Sequence, residues 1–266
     1  MDPIQGALLG AVQGLTEPLP VSSSAHLILL PWLLGWQEHS LTFDVALHMG
    51  TLAALLLVFW KDWLDLARAW LPGGAAVDRR MGLGLVAGTL PAAVIGLLFE
   101  DVIESSLRSP SLIAVVMVIA SLLIFAADRL GRRRLSEEAL SVPRALVIGA
   151  AQALALMPGV SRSGATISAG LALGLTREAA ARYAFLLATP VTAGAGVFKL
   201  RDLLETGVPP DERAAFIAGI TTSFVVGLFA IRFLLQYLRR YSLIAFVVYR
   251  VALALLVLAL SFIRAA

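Results

Sequence analysis

Long apolar runs alternate with short charged segments along the chain, at roughly 43–60, 81–99, 111–127, 183–198, 214–235 and 242–263. Each is near the roughly 17 to 25 residues that an α-helix needs to cross about 30 Å of hydrocarbon. The pattern therefore predicts six spanning helices. Two further apolar stretches, 4–16 and 25–35, are too short to cross and are separated by Glu17, two prolines and three serines. That length favours a re-entrant helical pair. The same shape recurs across 144–175, where Pro158 and Gly159 break the chain just before Ser161.

The two breaks are related. A constant offset of 139 residues aligns PLPVSSSAH with MPGVSRSGAT without a gap, pairing Gln13 with Gln152, Val21 with Val160, Ser22 with Ser161 and Ser24 with Ser163. Each half is one broken segment followed by three spans, and an odd number of spans per repeat puts the halves in opposite orientations. The expected fold is thus an all-α integral membrane protein with an inverted-topology repeat. Six transmembrane helices would surround two re-entrant helical pairs that meet near the bilayer midplane. It is one membrane domain over 1–266, with repeat one at about 1–130, a connector at about 131–143 and repeat two at about 144–266. Irregular backbone at membrane depth has to be satisfied by protein or water. Paired breaks in corresponding halves point to a binding site between them.

Composition supports the membrane reading, with 59% hydrophobic and 15% charged residues and a mean hydropathy of +0.87, against about 25% charged in soluble domains. The absence of cysteine excludes disulfides, thiolate metal sites and cysteine nucleophiles. The opening Met-Asp-Pro, with no basic region ahead of the first apolar stretch, does not read as a cleaved signal peptide. The net charge of +3 is explained by topology and calls for no nucleic-acid partner. Lys61, Arg68, Arg79 and Arg80 fall in one loop, Arg129, Arg132, Arg133, Arg134 and Arg144 in another, and Arg239 and Arg240 in a third. The positive-inside rule places these three in the cytoplasm and both termini outside. The intervening loops are acidic (Glu100, Asp101, Glu104) or mixed (Lys199, Arg201, Asp202, Glu205, Asp211, Glu212, Arg213). Trp60, Trp63 and Trp70 read as interface anchors.

The polar residues at the breaks carry the chemistry. A carboxylate at Glu17, in a segment otherwise fit for lipid, costs about 2.5 to 3.5 kcal/mol unless paired or solvated, which makes a functional role the default. Gln13, four residues earlier, shares its face if the helix continues, and two oxygen ligands suit a hard divalent cation. His26 is within reach of Ser22 or Ser23 and could move a proton near neutral pH. Asp44 and His48 are either a second polar pair on the cavity or an intrahelical contact, and His39 reads as a loop residue. Arg162 is the sharpest feature, because a guanidinium at a re-entrant tip needs an anion, and its fork fits phosphate oxygens. Ser161, Ser163 and Thr166 surround it, Gly164 would let backbone approach a ligand, and the following helix N-terminus favours an anion. Arg162 could instead tie the two repeats together through Glu17. No GxxxxGK[ST] loop is present, and SRSGATIS lacks the His that a haloperoxidase-type lipid phosphatase carries after its Ser-Arg pair. A phosphorylated lipid is the expected ligand.

QGLTEPLPVSSSAH and PGVSRSGATIS, with FLLATP at Phe185 to Pro190, resemble the signature motifs of the undecaprenyl pyrophosphate phosphatase family, the membrane enzyme linked to bacitracin resistance. The resemblance covers nearly the whole chain. It implies hydrolysis of undecaprenyl diphosphate to the monophosphate and inorganic phosphate, which recycles the carrier lipid of envelope polymers. It also implies a divalent cation, Mg2+ or Ca2+, and a multi-pass protein of the bacterial cytoplasmic membrane with its site open to the outer face. A homodimer is left open.

On this resemblance the acidic motif falls on Gln13 and Glu17, the Ser and His on Ser23 and His26, and the Ser-Arg-Ser loop on Ser161, Arg162, Ser163 and Thr166, with Ser22, Ser24 and Gly164 beside the substrate. Gln13 stands where many relatives have Glu, and Pro18 where an aromatic is more usual. Two routes stay open: attack by Ser23 on the terminal phosphorus, assisted by His26 or Glu17, or attack by a metal-bound or Glu17-activated water with Ser23 as a ligand. From another class, a lipid-phosphate transporter or flippase would also place paired breaks at the midplane.

Overall fold

The computed structural model describes residues 1–99 and 107–265, without the side chains of 199–206 and 265. The acidic loop of Glu100, Asp101 and Glu104 lies outside the described residues, as do the side chains of Lys199, Arg201, Asp202 and Glu205. Eleven α-helices and no strand occur among the described residues. In chain order they are α1 (Pro3–Thr16), α2 (Ser23–Leu34), α3 (Leu41–Val58), α4 (Trp60–Arg68), α5 (Ala76–Leu98), α6 (Pro110–Leu130), α7 (Val142–Leu154), α8 (Arg162–Ala172), α9 (Arg177–Thr206), α10 (Arg213–Leu238) and α11 (Ile244–Ala265).

Five of them, α3, α5, α6, α10 and α11, are long and apolar enough to cross a membrane. The remaining expected span, 183–198, falls inside the 30-residue α9. The two short apolar pairs are α1–α2 and α7–α8. Local signals set the starts: Asp2 forms a capping box with Gln5 ahead of Pro3, and Ser40 and Ser109 cap α3 and α6 through the N–H groups of Phe43 and Leu112. The run at 43–60 folds as α3 over Leu41–Val58, and the chain turns at Phe59 into α4, which the apolar pattern does not announce. Trp60 and Trp70 are exposed as interface anchors would be, whereas Trp63 packs partly against the core.

Contacts sort the loops into two ends. At one, the Met1 ammonium meets Glu212 at 3.3 Å, and Arg264 donates to the Trp32 carbonyl at 2.9 Å and lies over its ring. At the other, Arg182 bridges Asp62 and Glu137 at 2.6 and 2.7 Å, and Arg177 forks onto the buried Asp128. The pair α1–α2 starts and finishes at the first end, and α7–α8 at the second. The two breaks therefore enter the molecule from opposite sides and meet inside it.

Glycines make the approach possible. Gly6, Gly10 and Gly14 align on one face of α1, and a methyl group on any of them would collide with backbone of α10 at Ala215, Gly219 or Ser223. Gly149 on α7, the counterpart of Gly10, meets Gly88 on α5 in the same way. Small residues are what let helices close to backbone contact where water supplies no hydrophobic drive. Each broken pair is thus seated on a span from the other half.

Candidate active site

Glu17 is the hub. Helix α1 ends at Thr16, but Glu17 keeps helical backbone and donates its N–H to Gln13 O at 2.9 Å, so Gln13 and Glu17 do share a face. The amide of Gln13 donates to Glu17 Oε2 at 3.3 Å. The same oxygen accepts the hydroxyl of Ser23, while Oε1 is ion-paired with Arg162. His48 Nε2 stands 3.4 Å from Oε2, and Thr192 accepts from the other Arg162 nitrogen at 2.7 Å. A carboxylate that is only 9% exposed thus gathers a guanidinium, an imidazole, an amide and a hydroxyl. Arg162 ties the two halves together through Glu17, and the same residue lines a cavity.

That cavity measures about 280 Å³ and lies between α1–α2, α3, α5, α7–α8 and α9. Its polar wall is Glu17, Ser22, Ser23, Ser24, His48, Gln152, Ser161, Arg162 and Thr192, and its remaining wall is apolar. Leu41 and Val45 of the first turns of α3 also line it, so it lies toward the end that carries Met1 and Glu212.

The loops that present these groups are strained alike. Ser22 and Ser161, at equivalent positions, both take positive φ, 76° and 77°, where a side chain is disfavoured. Such outliers persist when surrounding structure over-determines them, and they cluster at functional sites. Each cross-links the breaks or caps a helix: Ser22 Oγ accepts the Gly159 N–H at 3.1 Å, and Ser161 Oγ accepts the Gly164 N–H at 3.1 Å.

Several expected ligand residues are engaged otherwise. Ser163 donates to the Leu19 carbonyl at 2.9 Å, tying break to break. Thr166 bonds back to the Arg162 carbonyl at 2.8 Å and is buried. A side chain at Gly164 would strike Ile124 at 2.9 Å. These three build the loop, and the cavity does not reach Gly164 or Thr166. His26 does not turn to the hydroxyl of Ser23. Its Nδ1–H donates to the Ser22 carbonyl at 2.7 Å, which can only accept, and Nε2 is left to Tyr249 OH at 2.7 Å. The hydroxyl of Ser23 goes to Glu17 instead.

Asp44 and His48 make the intrahelical contact, and only His48 of the two lines the cavity. His48 Nδ1 bonds the Asp44 carbonyl at 2.7 Å, which aims Nε2 at Glu17, while the Asp44 carboxylate turns away to His39 at 2.5 Å and Arg108 at 3.8 Å.

Three residues were not singled out in the sequence. Thr192 and Tyr249 carry no pattern of their own. Arg250 could have been found as a lone charge inside the last apolar run: it is fully buried, and its guanidinium donates to Ser121 Oγ at 2.8 Å and to the Gly159 carbonyl at 2.6 Å, with Pro20 and Val160 carbonyls at 3.4 and 3.3 Å. It satisfies carbonyls of both breaks from behind.

Among the described residues no three His, Cys, Asp or Glu side chains come together as a metal cage. The donors do fit a cation that brings most of its own ligands. Glu17 supplies one carboxylate, and the buried Gln13 Oε1 beside it has no hydrogen-bond partner. Magnesium commonly binds through one or two carboxylates plus substrate phosphates.

Fold and site together define an integral membrane protein whose paired breaks bring a carboxylate, a hydroxyl and a guanidinium to one cavity inside the helix bundle. The chain belongs to the family described as bacitracin resistance protein BacA, which matches residues 6–256. It is 51% identical over 264 residues to the undecaprenyl-diphosphatase of Geotalea daltonii, covering 97% of this chain and 98% of that one. The undecaprenyl-diphosphatases of Thermomicrobium roseum and Moorella thermoacetica are 45% and 46% identical, over 98% and 99% of this chain and 99% and 100% of theirs.

Proposed function

We propose that this chain hydrolyses undecaprenyl diphosphate to undecaprenyl phosphate and inorganic phosphate. The observation that carries the reading is the shared carboxylate: Ser23 Oγ and the Arg162 guanidinium both reach Glu17 on the wall of one intramembrane cavity. Full-length relatives named undecaprenyl-diphosphatase support it.

Arg162 exchanges Glu17 for the terminal phosphate, which its fork fits in two-point contact. Ser23, released toward the phosphorus, attacks it while Glu17 takes the hydroxyl proton. The bond from the terminal phosphorus to the bridging oxygen breaks, and undecaprenyl phosphate leaves with that oxygen. Water then attacks the phosphoserine, and Ser23 regains its proton as inorganic phosphate departs. Phosphoryl transfer asks mainly for positioning and charge stabilisation, which Arg162, Thr192 and His48 supply. Ser161 and Ser24 line the cavity as further hydroxyl donors. Glu17 and Gln13 Oε1 would hold a magnesium or calcium ion, which would neutralise charge on the diphosphate. The proton acceptor is Glu17 and not His26, whose nitrogens are engaged with Ser22 and Tyr249.

The protein sits in a bacterial cytoplasmic membrane with the Met1 and Glu212 end outward, the basic clusters of Arg79, Arg80, Arg239 and Arg240 inward, and the cavity open to the outer face. The position of Leu41 and Val45 on its wall supports that opening. The domain is two inverted repeats, about 1–130 and 144–266, and the equal backbone of Ser22 and Ser161 supports that division.

Release of inorganic phosphate from undecaprenyl diphosphate by the purified protein in detergent, with magnesium or calcium and then with chelator, tests the reading. Metal-dependent release is expected. No release from folded protein under either condition overturns it.

A further inference from the structure

Gln152 is 2% exposed, lines the cavity, and neither atom of its amide has a hydrogen-bond partner. A buried amide left unpaired is unfavourable, and nearly all such groups in folded proteins find partners. The duplication says what kind of partner is missing. Gln152 is the counterpart of Gln13, whose amide donates to the carboxylate of Glu17 four residues on. Four residues after Gln152 the chain has Leu156. The second half has kept the amide donor and has no carboxylate for it.

The place of that carboxylate is on the cavity wall, since Leu156 and Ala155 line the cavity beside Gln152, with Ala92 of α5 opposite. No protein carboxylate stands there, which leaves the place open to an anionic oxygen of the ligand. The two walls also differ in kind. Glu17, Ser23, His48 and Arg162 make one side polar, whereas the Gln152 side is flanked by alanines and Leu156. Behind it, α5 and α7 turn apolar side chains such as Val86, Leu90, Leu146 and Val147 outward.

We infer that Gln152 is a substrate-binding residue that donates its side-chain amide to the lipid-proximal phosphate, the one retained in the product. The terminal phosphate lies against Arg162 and Ser23, and the prenyl chain leaves past Leu156 toward the hydrocarbon. The inference rests on the lipid-diphosphate reading and adds the orientation of the substrate. It also gives the second repeat a binding role beyond its Ser-Arg-Ser loop.

The test compares wild type with Gln152→Leu and Gln152→Glu, purified whole in detergent, for kcat and KM on undecaprenyl diphosphate and for inhibition by undecaprenyl phosphate and by inorganic phosphate. In Gln152→Leu, KM and the inhibition constant of undecaprenyl phosphate should rise together by about 10-fold, the loss of one hydrogen bond to a charged group. The value of kcat and inhibition by inorganic phosphate should stay within about twofold. Gln152→Glu, which keeps the shape and sets a like charge against the phosphate, should weaken both lipids further, and it decides the matter if the Leu variant does not fold. Unchanged inhibition by undecaprenyl phosphate in the folded variants, or weakened inhibition by inorganic phosphate instead, overturns the assignment. A wild-type protein that neither hydrolyses the diphosphate nor binds the monophosphate would instead bring down the lipid-diphosphate reading itself.

Discussion

Ser23 and Arg162 occupy equivalent positions, each the first residue of its re-entrant helix, and both reach the same carboxylate, Glu17. One repeat delivers a hydroxyl and the other a guanidinium to one point. The contact joins the halves.

Arg162→Ala should leave a folded protein and reduce phosphate release by about 1,000-fold, the upper range for removing one preorganised donor to a developing charge. Arg162→Lys keeps the charge without the two-point fork and should recover only a small part of the rate. Phosphate release together with size-exclusion behaviour reads both. Near-normal hydrolysis by the alanine variant would dismiss the anion role.

Ser23→Ala should abolish the phosphoserine trapped by rapid acid quench from labelled substrate, and the rate with it. If no phosphoserine forms in wild type and the alanine variant keeps substantial rate, a water activated by Glu17 is the nucleophile and Ser23 only a ligand.

Tyr249→Phe removes the hydroxyl on His26 Nε2 and should alter kcat by less than about threefold, because His26 serves to hold the Ser22 carbonyl through its other nitrogen. A loss near 100-fold, in the range of general acid–base catalysis, would return His26 to the proton path.

Gly10→Ala and Gly149→Ala place a methyl group against facing backbone and should each lower stability by about 1 to 3 kcal/mol, the usual cost of overpacking. Thermal unfolding in detergent measures it. Gly35→Ala, with open space around it but a φ of 69°, should cost about 1 kcal/mol through backbone strain alone.

Arg250→Met should destabilise the protein by about 3 kcal/mol or more, since it strips donors from carbonyls of both breaks that no water reaches. Retained thermal stability would show that those carbonyls have other partners.

Much of this was legible before any coordinates. Glu17, Ser23 and Arg162 stood out because polar groups inside apolar sequence need a reason, and the duplication said they belong together. Spacing alone put His26 in reach of Ser22 or Ser23 without saying which atom it meets, since four residues on a helix match the Ser22 carbonyl as well as a Ser hydroxyl. Ser163 and Thr166 bond to the carbonyls of Leu19 and Arg162 in this structure, contacts that the motif alone does not show. Tyr249 lies 223 residues from His26, and Arg250 lies 90 to 230 residues from the groups it holds, distances over which a single sequence carries no pairing signal. The small helix α4 follows the first run, in a segment that the sequence reads as a basic loop.

The seat of α1 on α10 also sets an order of construction. Gly10 and Glu17 leave the ribosome roughly 200 residues ahead of Gly219, an interval of some 10 to 40 s at about 5–20 residues per second. The second broken pair meets the opposite case, because Gly88 is already made when Gly149 appears. The first pair must therefore be kept in the membrane with a charged residue and a bare glycine face uncovered until the last third of the chain arrives. Assembly of the molecule ends where its sequence begins.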